Sequence, residues 1–329
     1  MDKEKATVED LPRNLGLELV RATEAAAIAA GRWMGLGRLE RADQDATEAM
    51  HQQLNTIAMN GRIDIGEEAT IGWDSPLSSG RAVGTGQGPN LDIVVDPVDG
   101  RRLLAQGRSG AIAVAGAAPS GSMWSGASAV YMEKMVVSAL AADSLVPECM
   151  DAPAAWTLAL VAREKAKRVE DLIVFVLERD RHRDLIDEIR AAGARVMLRS
   201  DGDIAGAVMA ASPEDHADVL LGIGGVPQGL IAACAVKCMG GAMLARLAPQ
   251  SEKERQSVKE AELDTAEILT CDHLVAGKQI YFAITGITDG PLLKGVRYSG
   301  RQAETSSIIL RCETGTRRFL EAEHLLEDQ

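Results

Sequence analysis

A chain of 329 residues with 46 % hydrophobic and 25 % charged residues can bury a large core and is not a disordered polymer. Its 48 acidic residues against 35 basic ones leave a net charge of −13, which argues against a nucleic-acid partner, because phosphate-backbone binding needs a surplus of Lys and Arg on some face. The opening MDKEKATVEDLP is too polar for a signal peptide and no apolar run approaches membrane-spanning length, so no membrane partner is expected and the compartment expected is the cytoplasm.

Leu15, Leu19, Ala22, Ala26, Ala29 and Trp33 recur at three- and four-residue steps and predict an amphipathic helix. A second helix is predicted from Asp43 or Asp45, with Asp45 and Glu48 spaced as a capping box, a buried stripe of Ala46, Met50, Leu54 and Ile57, and Gly61 at its end. Ile63–Ile65 then start a short strand. The glycine-rich turn segment 80–90 leads into a β-branched strand over Leu91–Val95, which runs straight into Asp96-Pro97-Val98-Asp99-Gly100. Apolar runs at 111–114 and 129–137 add further strands, so the first half reads as mixed α+β.

The second half alternates more regularly. Strands are predicted at 172–177, 196–198 and 219–223, and helices around Leu185–Ile189, at 204–211 and at 227–239, with Gly193 closing the first of these. A polar helix over 252–270 and strands near 279–285 and 306–311 complete the reading. The cysteines Cys149, Cys234, Cys238, Cys271 and Cys312 form no CxxC pair; Cys234 and Cys238, one helical turn apart, read as small buried residues.

The strongest chemical signal is the acidic turn at 96–100. Asp96 and Asp99 flank a rigid Pro and precede a Gly, so two carboxylates leave one tight turn, and hard cations such as Mg²⁺ prefer such oxygens. Gly66-Glu67-Glu68 at another strand end, and Asp43 at a helix start, are further candidate ligands. Taken singly, each has a plain reading as a surface turn or a helix cap. Together and in this order they resemble the inositol monophosphatase and fructose bisphosphatase superfamily.

The resemblance narrows along the chain. Arg41-Ala42-Asp43, Ile65-Gly66-Glu67, Val83-Gly84-Thr85-Gly86-x-Gly88, the 96–100 turn, Tyr131-Met132-Glu133-Lys134, Asp201-Gly202-Asp203, Gly222-Ile223-Gly224-Gly225-Val226-Pro227 and Thr285-Gly286-Ile287-Thr288-Asp289-Gly290 follow the class II (GlpX-type) fructose-1,6-bisphosphatases in order. Residues 285–298 are similar to the dual fructose/sedoheptulose bisphosphatases of cyanobacteria. The resemblance implies a layered α/β sugar-phosphatase fold, with a metal-site α+β domain over 1–155 and an α/β substrate-binding domain over 156–329. It implies a phosphomonoesterase that removes the C1 phosphate of fructose-1,6-bisphosphate, and of sedoheptulose-1,7-bisphosphate, with Mg²⁺ or Mn²⁺ as cofactor, and a homo-oligomer, dimer or tetramer. By matching position, Asp43, Glu67, Asp96 and Asp99 take the metal-ligand places and Asp43, Asp96 and Arg101 the catalytic ones. Asp99, Gly100, Arg102, Tyr131, Arg179, Arg181, Asp201, Asp203 and Gln228 fall where the sugar and its second phosphate are held.

Three residues depart from the family pattern. Asp99 stands for the usual Glu, Arg101 for the Thr that orients the attacking water, and Gln228 for a Glu that ligates metal. Glu68, at a common Gly position, is a candidate replacement ligand. A lost carboxylate and a gained guanidinium favour fewer bound cations, with Arg101 either in the space of one metal or as a phosphate clamp. Two readings follow: an active phosphatase with an altered metal site, or a silenced relative that binds sugar phosphates in a regulatory or structural role.

Overall fold

The computed structural model describes residues 11–66, 74–124, 129–214 and 216–326. The first two elements are helices, α1 at Leu15–Gly31 and α2 at Leu39–Leu54. α1 buries Leu15, Leu19, Ala22, Ala26 and Ala30; the stripe runs through Ala30 rather than Ala29, as a 3.6-residue period requires over four turns. α2 starts earlier than its sequence suggests. Asp43 lies within the helix and is not its cap, and the expected Asp45–Glu48 capping box does not form, because the helix already begins at Leu39; the Asp45 carboxylate accepts a 2.8 Å hydrogen bond from the Trp33 indole. Gly61 is not a helix end but a strand residue, in β1 at Asn60–Ile65.

Two mixed sheets organise the molecule. The first joins β1, β2 (Ala82–Val83), β3 (Asn90–Asp99) and β4 (Ile112–Pro119) with four strands from the far end of the chain, β11 (Tyr281–Gly286), β12 (Arg297–Ser299), β13 (Gln302–Arg311) and β14 (Thr316–Leu325). The second has the order β10-β9-β5-β8-β6-β7, from Tyr131–Val137 (β5), Ile173–Leu177 (β6), Arg195–Arg199 (β7), Val219–Gly225 (β8), Ala242–Leu247 (β9) and Leu269–Thr270 (β10). Sheet membership therefore changes twice, after β4 and again before β11, where the chain returns to the first sheet. The expected polar helix over 252–270 is shorter, Glu252–Glu260; Glu262 has φ +55, a left-handed conformation that stops the helix.

Alternation in the strands sorts side chains into three cores. Ile93, Val95, Ala113 and Ala115 face α1 and α2. Val94, Val114, Phe282 and Ile284, on the other face of the same sheet, meet Met132, Val136 and Leu220 of the second sheet, with helices Asp203–Ala211 and Val226–Cys238 between. Met135, Val137, Val174 and Val176 point outward to helices Ala154–Glu164 and Arg183–Ala191. Helix and sheet thus alternate in five layers. Each fully buried Leu, Ile or Phe contributes roughly 1.5–3 kcal/mol, and with few aromatics the packing rests on Ala and Val.

Candidate functional site

Within each sheet some neighbouring strands run parallel, β1 beside β3 and β6 beside both β7 and β8. Carboxyl ends of such strands are where open α/β sheets place ligands. Here those ends, from both sheets, border one cleft of about 790 Å³. It is lined by Asp43, Gly66, Asp96, Asp99, Gly100, Arg101 and Arg102 on one side, and by Tyr131, Arg179, Arg181, Asp201, Asp203 and Gln228 on the other. Every sequence-predicted site residue among the described residues borders this cleft. Glu67 and Glu68 lie outside the described residues, directly after Gly66.

The acidic turn works through a bulge. Asp96 pairs with Val114 but Asp99 with Ile112, so β3 carries one residue more than its partner between them. Three residues apart on a regular strand, the two aspartates would face opposite ways; the bulge turns both into the cleft. Asp96 is buried, 4 % exposed, although it borders the cleft, and its Oδ1 accepts from the Val98 amide at 3.0 Å.

Two Asp-Gly turns then cap each other's helices. Gly100 and Gly202 both take left-handed conformations, φ +94 and +91, and each is followed by a helix, Arg101–Ala105 and Asp203–Ala211. Asp99 Oδ2 accepts from the Ala205 amide of the second helix at 2.9 Å, and Asp201 Oδ2 accepts from the Arg102 amide of the first at 3.0 Å. Orphan amides at each helix start are so satisfied from across the cleft.

The acids are crowded. Burial pushes the Asp43 carboxyl up to about 7; the Arg101 guanidinium pulls it back, and Asp96 and Asp201 push it further up. Arg101 Nη1 donates to Asp43 Oδ2 at 2.7 Å, an ion pair spanning 58 residues of sequence. Asp99 lies well above the usual carboxylate range, first through burial and then through Asp96. Among the described residues no group of three His, Cys, Asp or Glu side chains is arranged to hold a metal ion. The donors that are present nonetheless suit one: hard oxygens whose mutual repulsion a divalent cation would relieve.

The opposite wall is basic and held by backbone. Arg181 donates to the Ile223 carbonyl at 2.8 Å and lies over the Tyr131 ring, 4.9 Å from its centroid. Arg179 donates to the carbonyls of Ser200 and Glu178 at 2.7 and 2.9 Å. A carbonyl fixes a guanidinium without cancelling its charge. Two residues that sequence reasoning left without a role support this wall. His182 donates through Nδ1 to the Leu177 carbonyl and accepts at Nε2 from the Ile223 amide, which ties the ends of β6 and β8; burial lowers its pKa, in keeping with a neutral ring. Lys134 is buried and ion-paired to Asp203, and Gly224 lies against the pair, where a β-carbon would collide with both partners. Lys134 stood in the quoted Tyr131–Lys134 motif; a Lys next to Glu133 in a strand of otherwise uncharged residues was the available signal.

These features define a two-sheet α/β protein with one polar cleft between an acidic and a basic wall. The model of the family described as bacterial fructose-1,6-bisphosphatase, glpX-encoded, matches residues 13–324, and the chain belongs to that family. Similar proteins include the D-fructose 1,6-bisphosphatase class 2/sedoheptulose 1,7-bisphosphatases of Synechococcus sp. strains JA-3-3Ab and JA-2-3B'a(2-13), each 37 % identical over 344 residues, covering 97 % of this chain and 98 % of the relative. The fructose-1,6-bisphosphatase class 2 of Haemophilus influenzae is 37 % identical over 329 residues, covering 96 % and 97 %.

Proposed function

We propose that the cleft is the active site of a metal-dependent phosphomonoesterase that removes the C1 phosphate of fructose-1,6-bisphosphate and of sedoheptulose-1,7-bisphosphate. One observation carries this reading: three buried carboxylates and two carbonyl-held guanidiniums face each other across a single cleft large enough for a bisphosphorylated sugar. Family membership supports it, and the five-layer alternation fits the superfamily of sugar and inositol phosphatases. We assign the metal-site role to residues 1–155 and most of the substrate-binding role to residues 156–329, although β11–β14 return to the first sheet.

Asp43, Asp96 and Asp99, with Glu67, are the proposed ligands of Mg²⁺ or Mn²⁺, which would supply Lewis-acid polarisation of the phosphate oxygens. Arg179 and Arg181 bind the remote phosphate through paired charge-assisted hydrogen bonds. Tyr131 and Asp203 line the sugar between them. The helix beginning at Val226 directs its N-terminal amides toward the cleft, a favourable end for an anion. Asp43, at the cleft beside Arg101, is also the residue we assign to take a proton from the attacking water. Arg101 supplies a fixed positive charge to Asp43 where the family has a hydroxyl, so we assign fewer cations to this site than to a site with Thr and Glu at positions 101 and 228. A homo-oligomer, dimer or tetramer, in the cytoplasm is part of the same proposal. Among the described residues no helix is long and apolar enough to cross a membrane.

The second reading, a silenced relative that binds sugar phosphates, is favoured by one feature alone, the Arg101–Asp43 ion pair. Release of inorganic phosphate from fructose-1,6-bisphosphate, with Mg²⁺, with Mn²⁺ and with chelator, decides between the two. Metal-dependent turnover establishes the enzyme; background rates with saturable sugar-phosphate binding establish the silenced relative.

A further inference from the structure

Away from the cleft, four cysteines gather where the C-terminal end of helix Val226–Cys238 meets the first sheet. Cys234, Cys238 and Cys271 are buried, and Cys312, just past β13, is partly exposed. Cys238 and Cys312 are neighbours, each bonded to backbone that the other adjoins. Their surroundings interlock as well. The Ile280 carbonyl accepts from the Cys312 amide at 3.0 Å and from Cys238 Sγ at 3.9 Å, while Cys312 Sγ reaches the Lys237 carbonyl at 3.7 Å.

The two thiols differ in kind. Cys312 is held below the usual thiol range, first by the adjoining Cys238 side chain; burial opposes this, Lys237 and Lys278 add to it, and Asp272, which is ion-paired to Lys237, works against it. Cys238 lies well above that range because it is buried and has Cys312 beside it. A partly exposed thiol beside a buried second thiol is an arrangement that oxidises reversibly to a disulfide.

We infer that Cys238 and Cys312 form an oxidisable dithiol, a modification site in which a hydroperoxide is the oxidant. The Cys312 thiolate attacks the terminal peroxide oxygen; the O–O bond breaks, the alcohol or water leaves with a proton, and Cys312 becomes a sulfenic acid. Cys238 then attacks that sulfur, the S–O bond breaks, and water leaves as the disulfide forms. Two thiols lose two electrons and two protons, and the peroxide is reduced by two electrons. The bond would tie β13 to the end of a helix whose first turn, roughly 20 Å away, lines the cleft at Gln228. Cys149, in the separate outer core, takes no part.

The test uses the whole protein, reduced and then titrated with hydrogen peroxide, alkylated and mapped by mass spectrometry without reductant. A linked Cys238–Cys312 peptide pair that a dithiol reductant removes is the expected result. Cys312→Ser abolishes the pair and leaves Cys238 reduced. Cys238→Ala leaves Cys312 as a sulfenic acid that dimedone traps, and this readout does not need the buried site to be perfectly repacked. The inference is overturned if Cys312 stays reduced while other thiols oxidise, if it links to Cys234 or Cys271, or if it links to Cys312 of a second copy.

Discussion

Two of the centres at which this molecule buries carboxylates are treated in opposite ways. Asp218, at the start of β8, is completely buried, and the chain surrounds it with partners: Lys165 at 2.5 Å, Lys167 at 2.8 Å and the Ile173 amide at 2.8 Å. Burial alone would raise its pKa, but those hydrogen bonds outweigh burial and hold it below the ordinary value. In the cleft, Asp43 and Asp99 are shifted the other way, with acids as neighbours. Asp218 is a finished structural node. The cleft acids are held together at a cost in stability that the fold itself does not offset, which is the pattern of a site awaiting a ligand.

The sharpest way to break this contrast is Asp96→Asn. The amide still accepts from Val98, so the turn is kept, yet a charged donor is lost; metal-dependent phosphate release should fall by at least about a thousandfold with an unchanged circular dichroism spectrum. Unchanged turnover would place the site elsewhere. Next comes Asp218→Asn, which removes the buried carboxylate that Lys165 and Lys167 share. A loss of about 3–5 kcal/mol in denaturant unfolding is expected, with KM unaltered; a stable variant would mean that the node is not the structural anchor described here.

Arg101→Thr with Gln228→Glu separates the two functional readings. Removing a cation and adding a carboxylate should raise the number of Mn²⁺ ions bound per chain in equilibrium dialysis. In the active enzyme turnover should fall by about tenfold or more as Arg101 is lost. A background wild-type rate that rises on this substitution would sink the active reading.

The smallest effect concerns pH. The Asp43 pKa is about 7 in the fold against an ordinary 3.8, so the folded state binds more protons than the unfolded chain between those values. Metal-free stability should therefore decline as pH rises from about 4 to 7. Asp43→Asn should flatten that decline and stabilise the metal-free protein by about 1 kcal/mol near neutrality. Asp218, with its lowered pKa, gives the opposite slope: its stabilisation is present above about 4 and lost as pH falls further. Urea melts across this range, with and without the substitution, measure both.

Where structure is set locally, the sequence is an adequate guide. Strand–helix alternation through 172–239 is legible because each apolar run is short and closed by a turn signal such as Gly193. The 96–100 turn and the residues around both walls are legible through their order along the chain. What escapes is what long-range contact decides. Asp45 is spaced as a cap, but Trp33 claims its carboxylate. Residues 316–325 are too polar to read as a strand by hydrophobic alternation, yet they complete a ladder along all of β13. The Arg101–Asp43 pair and the crossed caps of Asp99 and Asp201 join residues that no window of sequence contains together.

The return of the chain to its first sheet has a consequence for birth on the ribosome. β11 pairs with β4 along the whole of β11, but β11 is made only after the entire second sheet. At ordinary synthesis rates the β4 edge stays open for roughly ten to thirty seconds, with its amides and carbonyls available to any other strand in reach. The middle of the chain can close its own sheet during that interval, whereas the sheet that was begun first must be finished last.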